Sequence, residues 1–327
     1  MKKKQMYLGI YLPIIFILTA AAAALRTVAI LTDLDPATGY YSDKTLLTAA
    51  NVIAVTAVVF ALSYLVFGNK KLKLAASFDT PATYIPSAAV AVALLFVAAG
   101  IIRDVVASAY GIYDLIFFKN NLLPIAAALL ALLAIVGFFL TSFSPKRENL
   151  SRASFGIMTV IFTIVYASTM YFDESMPMNA PDRIVDLMAY VFVSLFLLYE
   201  IRLSLGRDIW FAYISFGMAG TAISAYSALP SLIVYFTDGR LISGTLYEPI
   251  LTCSLLVFMV SRVILTLTLT EDKDTPLVEM IKSAEAKHAE TESLDGESKE
   301  DEYTEEAVNY TFDLTEQKTD SEEDGTK

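Results

Sequence analysis

The amino-acid sequence predicts an all-α integral membrane protein with about eight transmembrane helices and a disordered acidic C-terminal tail. Of its 327 residues, 56% are hydrophobic, which exceeds the roughly 45–50% typical of soluble domains. The apolar residues are concentrated before residue 271, whereas residues 271–327 carry 20 acidic and 6 basic side chains. The two segments therefore differ physically, and each is interpreted separately.

Eight stretches of the chain are long and apolar enough to cross a membrane. A spanning helix needs about 20 predominantly apolar residues, because it rises about 1.5 Å per residue across roughly 30 Å of hydrocarbon. The third and fifth spans are predicted to be the shortest and the seventh the longest, which favours tilt or local thinning of the bilayer. We place the spans near residues 6–31, 46–67, 84–102, 122–144, 154–172, 184–205, 209–235 and 248–270.

The distribution of Lys and Arg predicts the orientation of the chain. When the predicted loops are assigned to alternate sides, 11 basic residues fall on the side of the N-terminus and 5 on the other. Since Lys and Arg are enriched on the cytoplasmic side, both termini are predicted to be cytoplasmic. The first segment also has features of a secretory signal, but its apolar run from Met6 to Leu25 is longer than a signal core, which favours an uncleaved anchor. The short basic N-terminus and compact loops suggest a bacterial-type cell membrane.

Two features between and within the spans have alternative interpretations. Residues 103–121 are aromatic and apolar, which suits either a segment in the outer interface or an extended third helix. The fourth and eighth spans both open with a Pro-Ile pair, at Pro124 and Pro249, at an offset of 125 residues. Proline suits the first turn of a helix. This similarity suggests two parallel four-helix repeats, although apolar sequences also align by chance.

Ionisable residues within the predicted spans are candidate functional groups, because charges in hydrocarbon are costly. Glu200 in the sixth span and Arg262 in the eighth are predicted at similar depth, in the inner third of the membrane, and form a candidate intramembrane ion pair. The alternatives are snorkelling to the headgroups or a purely structural pair. A second set of charges lies near the outer ends of the spans: Arg26, Arg103, Asp104, Asp186 and Glu248.

Small and hydroxylated residues within the spans are interpreted mainly as contacts between helices. Gly217, Gly220 and Ser224 share one face of the seventh span. This face is predicted to let another helix approach closely.

The membrane region lacks the residues that most enzyme and metal sites require. The single cysteine, Cys253, excludes a disulfide framework within one chain, and the single histidine, His288, lies in the tail. The sequence contains no HExxH, GxSxG, GxxxxGK[ST] or GxGxxG motif. We therefore predict no catalytic residue, no metal site, no cofactor and no enzymatic activity.

The tail is predicted to contain two segments that differ from its acidic surroundings. A short juxtamembrane helix is expected within residues 271–288, followed by a disordered cytoplasmic tail over 289–327. Alternating apolar residues in the tail suit an added strand on a partner's sheet, and they are Val308, Tyr310, Phe312 and Leu314. A solvated tail with no partner is the alternative. Its negative charge argues against binding to nucleic acid.

These observations predict a transmembrane domain over residues 1–270 in a lipid bilayer. The function that we infer from the sequence is a non-enzymatic scaffold, assembly or sensory component whose tail recruits a cytoplasmic protein. A permease for a small or amphipathic solute, alone or with a separate energy-coupling subunit, is the alternative.

Overall fold

The computed structural model confirms the predicted helical membrane architecture. It describes residues 3–35, 38–68, 81–109, 115–143, 150–172, 180–205, 209–242 and 245–268. In these residues there are eight helices, each long and apolar enough to span a membrane. They are α1 (Lys3–Asp33), α2 (Thr45–Phe67), α3 (Pro81–Ala109), α4 (Leu115–Phe143), α5 (Leu150–Phe172), α6 (Pro181–Ser204), α7 (Trp210–Asp238) and α8 (Tyr247–Thr268).

The loop between α1 and α2 contains a small antiparallel ribbon. Strand β1 (Leu34–Asp35) pairs with β2 (Tyr40–Tyr41), and Leu34 lies opposite Tyr41. Gly39 adopts a φ of 70°, a conformation that is costly for residues with a side chain. The ribbon directs Tyr41 into the bundle, where it is buried.

The third span was predicted too short. Helix α3 has 29 residues and continues past Arg103 and Asp104 to Ala109, and α4 already begins at Leu115. Most of residues 103–121 is therefore helical rather than an interfacial loop. The charges do not end α3, because Arg103 and Asp104 form an ion pair with each other and are exposed.

Pro124 was expected in the first turn of its helix, but it lies inside α4. Pro249, by contrast, follows Tyr247 and Glu248 in the first turn of α8. The repeat hypothesis, in which these two prolines are equivalent, stays a prediction.

Six of the helices close a ring, and the other two pack on its outside. Helix α3 packs against α4, α4 against α5, α5 against α6, α6 against α7, α7 against α8, and α8 against α3. Helices α1 and α2 pack against each other and against α7. Helix α7 thus has four neighbours, and it is the most buried of the eight spans.

The predicted small-residue face of α7 lies against its neighbours. A Cβ atom added to Gly217 would lie 2.6 Å from Cγ2 of Val263, and one added to Gly220 would lie 2.8 Å from Sδ of Met259. Both distances are too short for a side chain at these positions. The glycines therefore allow α8 to approach α7 closely, as small residues do between membrane helices.

The predictions about the tail concern residues outside the described part of the chain. These are the juxtamembrane helix at 271–288, the segment 289–327 and the residues Val308, Tyr310, Phe312 and Leu314.

Candidate functional site

Helix α6 positions most of the buried charge of the bundle. Asp182, Arg183, Asp186 and Glu200 are all buried on it. Pro181 occupies the first helical position, where its missing N–H costs nothing. The first turns of α6 contact α1 and α7, and its last turns contact α8.

The first charged site is a cluster around Arg26 of α1. The guanidinium of Arg26 donates through Nη2 to Oδ1 of Asp182 and through Nη1 to the backbone oxygen of Tyr226, both at 2.6 Å. Its Cζ atom lies 4.8 Å from the centre of the Tyr226 ring. Arg26 is 1% exposed and Asp182 is 2% exposed. This buried ion pair joins α1, α6 and α7.

A tyrosine of the α1–α2 loop donates further hydrogen bonds to Asp182. The hydroxyl group of Tyr41 lies 3.0 Å from both carboxylate oxygens of Asp182 and donates to them. Burial and the negative charge of Asp182 raise the pKa of Tyr41 far above its usual range. Tyr41 therefore stays protonated and remains a donor at physiological pH.

Helix α2 begins next to this loop with a local turn. Asp43 accepts hydrogen bonds from the backbone N–H of Thr45 at 2.9 Å and from its hydroxyl group at 2.8 Å. These bonds lower the pKa of Asp43, the backbone bond having the largest effect. Six residues into α2, Asn51 accepts a hydrogen bond of 2.6 Å from the hydroxyl of Tyr226, so α2 also contacts the cluster.

Asp186 lies one helical turn beyond Asp182. It is buried and accepts a hydrogen bond from the hydroxyl of Ser227 on α7. Arg26 also acts electrostatically on Asp186. One arginine therefore serves two carboxylates on successive turns of α6.

Arg183 of α6 contacts the end of α5. Its Nη2 donates to the backbone oxygens of Met170, at 2.7 Å, and Tyr171. These carbonyls belong to the last turn of α5, where a cation is favourable because the helix dipole is negative there. Arg183 thus fastens the end of α5 to the start of α6.

The second charged site is formed by Glu200 and Arg262. Nη2 of Arg262 lies 3.5 Å from Oε1 of Glu200, and the side chain of Arg262 is fully buried. The guanidinium carbon also lies 5.1 Å from the centre of the Phe258 ring. Thus the structure brings together the two residues that the sequence placed at matched depth.

A small cavity borders Glu200. Its volume is about 30 Å³, and its lining includes Gly137, Thr159, Leu197 and Phe258. Phe258 also packs against Phe138 and Phe196, at centroid distances of 5.3 and 6.2 Å. The cavity exceeds the roughly 10–15 Å³ that a water molecule requires, but it is far smaller than the few hundred Å³ of ligand pockets.

The other three predicted outer-side charges are Arg103, Asp104 and Glu248, and they form hydrogen bonds and ion pairs with residues outside the Arg26 cluster. Arg103 pairs with the adjacent Asp104 at 2.9 Å, and Asp104 accepts a hydrogen bond from the hydroxyl of Tyr247. Glu248 is buried at the start of α8, where Oε2 lies 3.5 Å from Oγ1 of Thr245. Of the five predicted outer-side charges, the structure places Arg26 and Asp186 in the cluster.

The sequence analysis missed three members of this cluster. Asp182, Tyr41 and Ser227 were not among the candidate residues. A signal for Asp182 was present, because Asp182, Asp186, Tyr190 and Ser194 recur at intervals of four residues. Tyr41 gave no such signal, since its role depends on the ribbon in the loop.

Comparison of the chain with models of known protein families, with curated proteins and with solved structures finds no match. The function is therefore argued from the residues and their geometry.

Proposed function

We propose that this chain is a non-enzymatic membrane scaffold, assembly or sensory component whose acidic tail recruits a cytoplasmic protein. One observation carries the proposal: two buried ion pairs, Arg26–Asp182 and Arg262–Glu200, join packed helices. The cavities that border Glu200 and Asp182 have volumes of about 30 and 60 Å³, and both are too small for a solute. A rigid bundle of this kind suits an anchor that presents a tail.

The permease remains the alternative function. The cavity beside Glu200 favours it, because an ionisable residue at membrane depth often marks a pathway. The small volume of that cavity argues against a solute passing beside Glu200. A larger pocket of about 490 Å³ lies between α5 and α6, but its lining is mostly apolar and does not include Glu200. The absence of catalytic motifs in the sequence supports a non-enzymatic role under either function.

We infer that both termini are cytoplasmic, in a cell membrane of bacterial type. The excess of Lys and Arg on the side of the N-terminus supports this orientation. The eight membrane-length helices of the described residues support the same inference, because an even number of crossings returns the chain to its starting side. Under this orientation the Arg26 cluster faces the outside.

Cysteine labelling in intact cells tests the orientation. We expect an impermeant thiol reagent to label cysteines introduced at Gly39 and Asn179 and not those at Ser77 and Ser298. Cys253 is half-buried in α8, so the experiment uses a Cys253→Ala background. Permeabilised cells provide the control, since all four sites should then react. External labelling at Ser298 would contradict the orientation.

Deletion of residues 289–327 tests the recruitment of a partner. We expect the shortened chain to insert and to keep its thermal stability, because the deleted segment follows the last apolar span of the sequence. A cytoplasmic protein that crosslinks to the full chain in cells should be lost. The measurement is crosslinking followed by purification, with the midpoint of thermal unfolding in detergent as the control.

A narrower variant, Tyr310→Ser with Phe312→Ser, tests the predicted strand segment. It removes two apolar side chains and keeps the acidic charge that steers encounter. Loss of the crosslinked protein would place recognition in residues 308–314. Retention of that protein after the whole deletion would contradict the recruitment role and favour the permease.

A further inference from the structure

Helix α6 carries a line of polar side chains at intervals of four residues. The line consists of Asp182, Asp186, Tyr190 and Ser194, of which the first three are buried and Ser194 is half-buried. Residues four apart share one face of a helix, and their Cβ atoms lie about 5–6 Å apart. A water molecule can hydrogen-bond to two polar groups at this separation. The opposite face of α6 exposes apolar side chains, namely Ile184, Met188 and Val191.

The line continues from α6 onto α5. The hydroxyl groups of Ser194 and Thr163 lie 2.8 Å apart. Thr159 follows Thr163 at a distance of four residues on the same helix, and both threonines are buried. Thr159 also lines the cavity that borders Glu200. Polar groups therefore lead from Asp182 to Glu200, and we call the whole set the polar line.

The polar line covers most of the thickness of a membrane. Asp186 and Glu200 are separated by 14 residues of α6, which corresponds to about 21 Å along the helix axis. The hydrocarbon core of a bilayer is about 30 Å thick. A carboxylate is thus present near each end, and hydroxyl groups lie between the two.

Both ends of the line border cavities that are large enough for water. At one end Asp182 lines a cavity of about 60 Å³ beside Gly39 and Arg240 of the loops. At the other end Glu200 borders the cavity of about 30 Å³. Each exceeds the volume of about 10–15 Å³ that holds a water molecule.

The charges around Asp186 allow it to gain and lose a proton. Arg26 of α1 supplies one positive charge to Asp182 and Asp186 together. Of the other cations nearby, Arg183 is bonded to carbonyl groups of α5 and Arg240 pairs with Asp238. One carboxylate can therefore take up a proton while Arg26 keeps the other as its counter-charge.

Other ionisable groups also face this position. Tyr166 of α5 and Tyr190 of α6 lie in the field of Asp186, and Glu248 of α8 acts on the same two tyrosines. Thr252 of α8 donates a hydrogen bond of 3.1 Å to the hydroxyl of Tyr190. The surrounding helices thus contribute further negative charge and further hydroxyl groups, which favour the binding of a proton at this position.

We propose that this chain transfers protons through the membrane along the polar line. A hydronium ion at the end of the α1–α2 loop gives its proton to the Asp186 carboxylate. Each hydroxyl group or water then accepts a proton on its oxygen and gives up another to the next group. Glu200 receives the proton and releases it to water on the opposite side. One proton is taken up and one is released, and no other covalent bond changes.

This activity goes beyond the proposed scaffold role and does not involve the tail. It is also compatible with the small cavities at the two ends of the line, because protons move along single waters and hydroxyl groups whereas a solute requires a wide path. Arg262 keeps Glu200 in place and balances its charge after the proton leaves. The direction of net transfer follows the gradient that the membrane supplies.

Proton flux into vesicles tests the proposal. The purified full chain is reconstituted into liposomes that enclose a pH-sensitive dye, and valinomycin with K⁺ clamps the membrane potential. After an acid pulse we expect the interior to acidify faster than in protein-free liposomes. Glu200→Gln should slow the protein-dependent rate by about 10²-fold, the loss typical of removing a proton-transferring side chain.

Threonine variants keep the test decisive if Glu200→Gln does not fold. Thr163→Val removes one hydroxyl group from the polar line without changing a charge, and it should also slow the flux. Its matched control is Thr56→Val, because Thr56 of α2 makes a similar bond to a backbone oxygen and lies outside the line. Glu200→Asp retains a carboxylate and should keep part of the flux.

The proposal is overturned if the wild-type chain acidifies liposomes no faster than lipid alone. It is also overturned if Thr163→Val and Thr159→Val fold and conduct like Thr56→Val. The tail experiments are independent of both outcomes, so failure here leaves the scaffold role standing.

Discussion

Arg26→Gln is expected to lower the free energy of unfolding by about 3–5 kcal/mol, the cost of removing one partner from a buried ion pair. The substitution leaves Asp182 and Asp186 buried without their shared cation. It also removes the contacts by which α1 holds α6 and the backbone of α7. The measurement is reversible unfolding in mixed detergent micelles, monitored through the helical content of the protein.

Arg103→Gln is the matched control for this experiment. Arg103 also pairs with an aspartate in a membrane helix, but its side chain is 76% exposed. Exposed ion pairs contribute little to stability, so this variant should unfold close to the wild type. Equal unfolding of Arg26→Gln and Arg103→Gln would mean that the Arg26 cluster does not hold the bundle together.

Glu200→Gln and Arg262→Gln are each expected to cost about 3 kcal/mol or more, because each leaves a buried charge without its partner. The double variant should cost less than the sum of the two single variants, since it leaves no unpaired charge. The measurement is a double-mutant cycle on the same unfolding equilibrium.

The control for the cycle combines Glu200→Gln with Arg26→Gln. Asp182, the partner of Arg26, lies 18 residues from Glu200 along α6, or about 27 Å. Sites this far apart act independently, so their effects should add within about 0.5 kcal/mol. Strictly additive losses for Glu200→Gln and Arg262→Gln would instead contradict an interaction between these two residues.

The spans could be predicted from the sequence because hydrocarbon demands long apolar segments with internally bonded backbones. The ends of α3 and α4 could not be predicted in the same way. Arg103 and Asp104 looked like a boundary, but exposed charges are tolerated in a helix that extends beyond the hydrocarbon. The third helix is therefore longer than its apolar stretch.

The two charged sites differ in how far the sequence could predict them. Glu200 and Arg262 have opposite charges, and the regular rise of a helix gives the depth of each, so their pairing was a plausible inference. Asp182 was overlooked because it lies at the start of a helix, where a carboxylate is ordinary. Its burial depends on Arg26 and Tyr41, which are distant in the sequence.

The sequence by itself determined that this chain has about eight long apolar spans, an acidic C-terminal segment and few charges at membrane depth. Only the tertiary structure decided which helices are neighbours. Lipid solvates the apolar faces of all helices equally well, so hydropathy does not reveal which face packs against which helix. Arg26 and Asp182, for example, are 156 residues apart in the sequence and form an ion pair in the structure. Close packing of small residues and pairing of buried charges bring such residues together, and both depend on how the helices of the bundle are arranged.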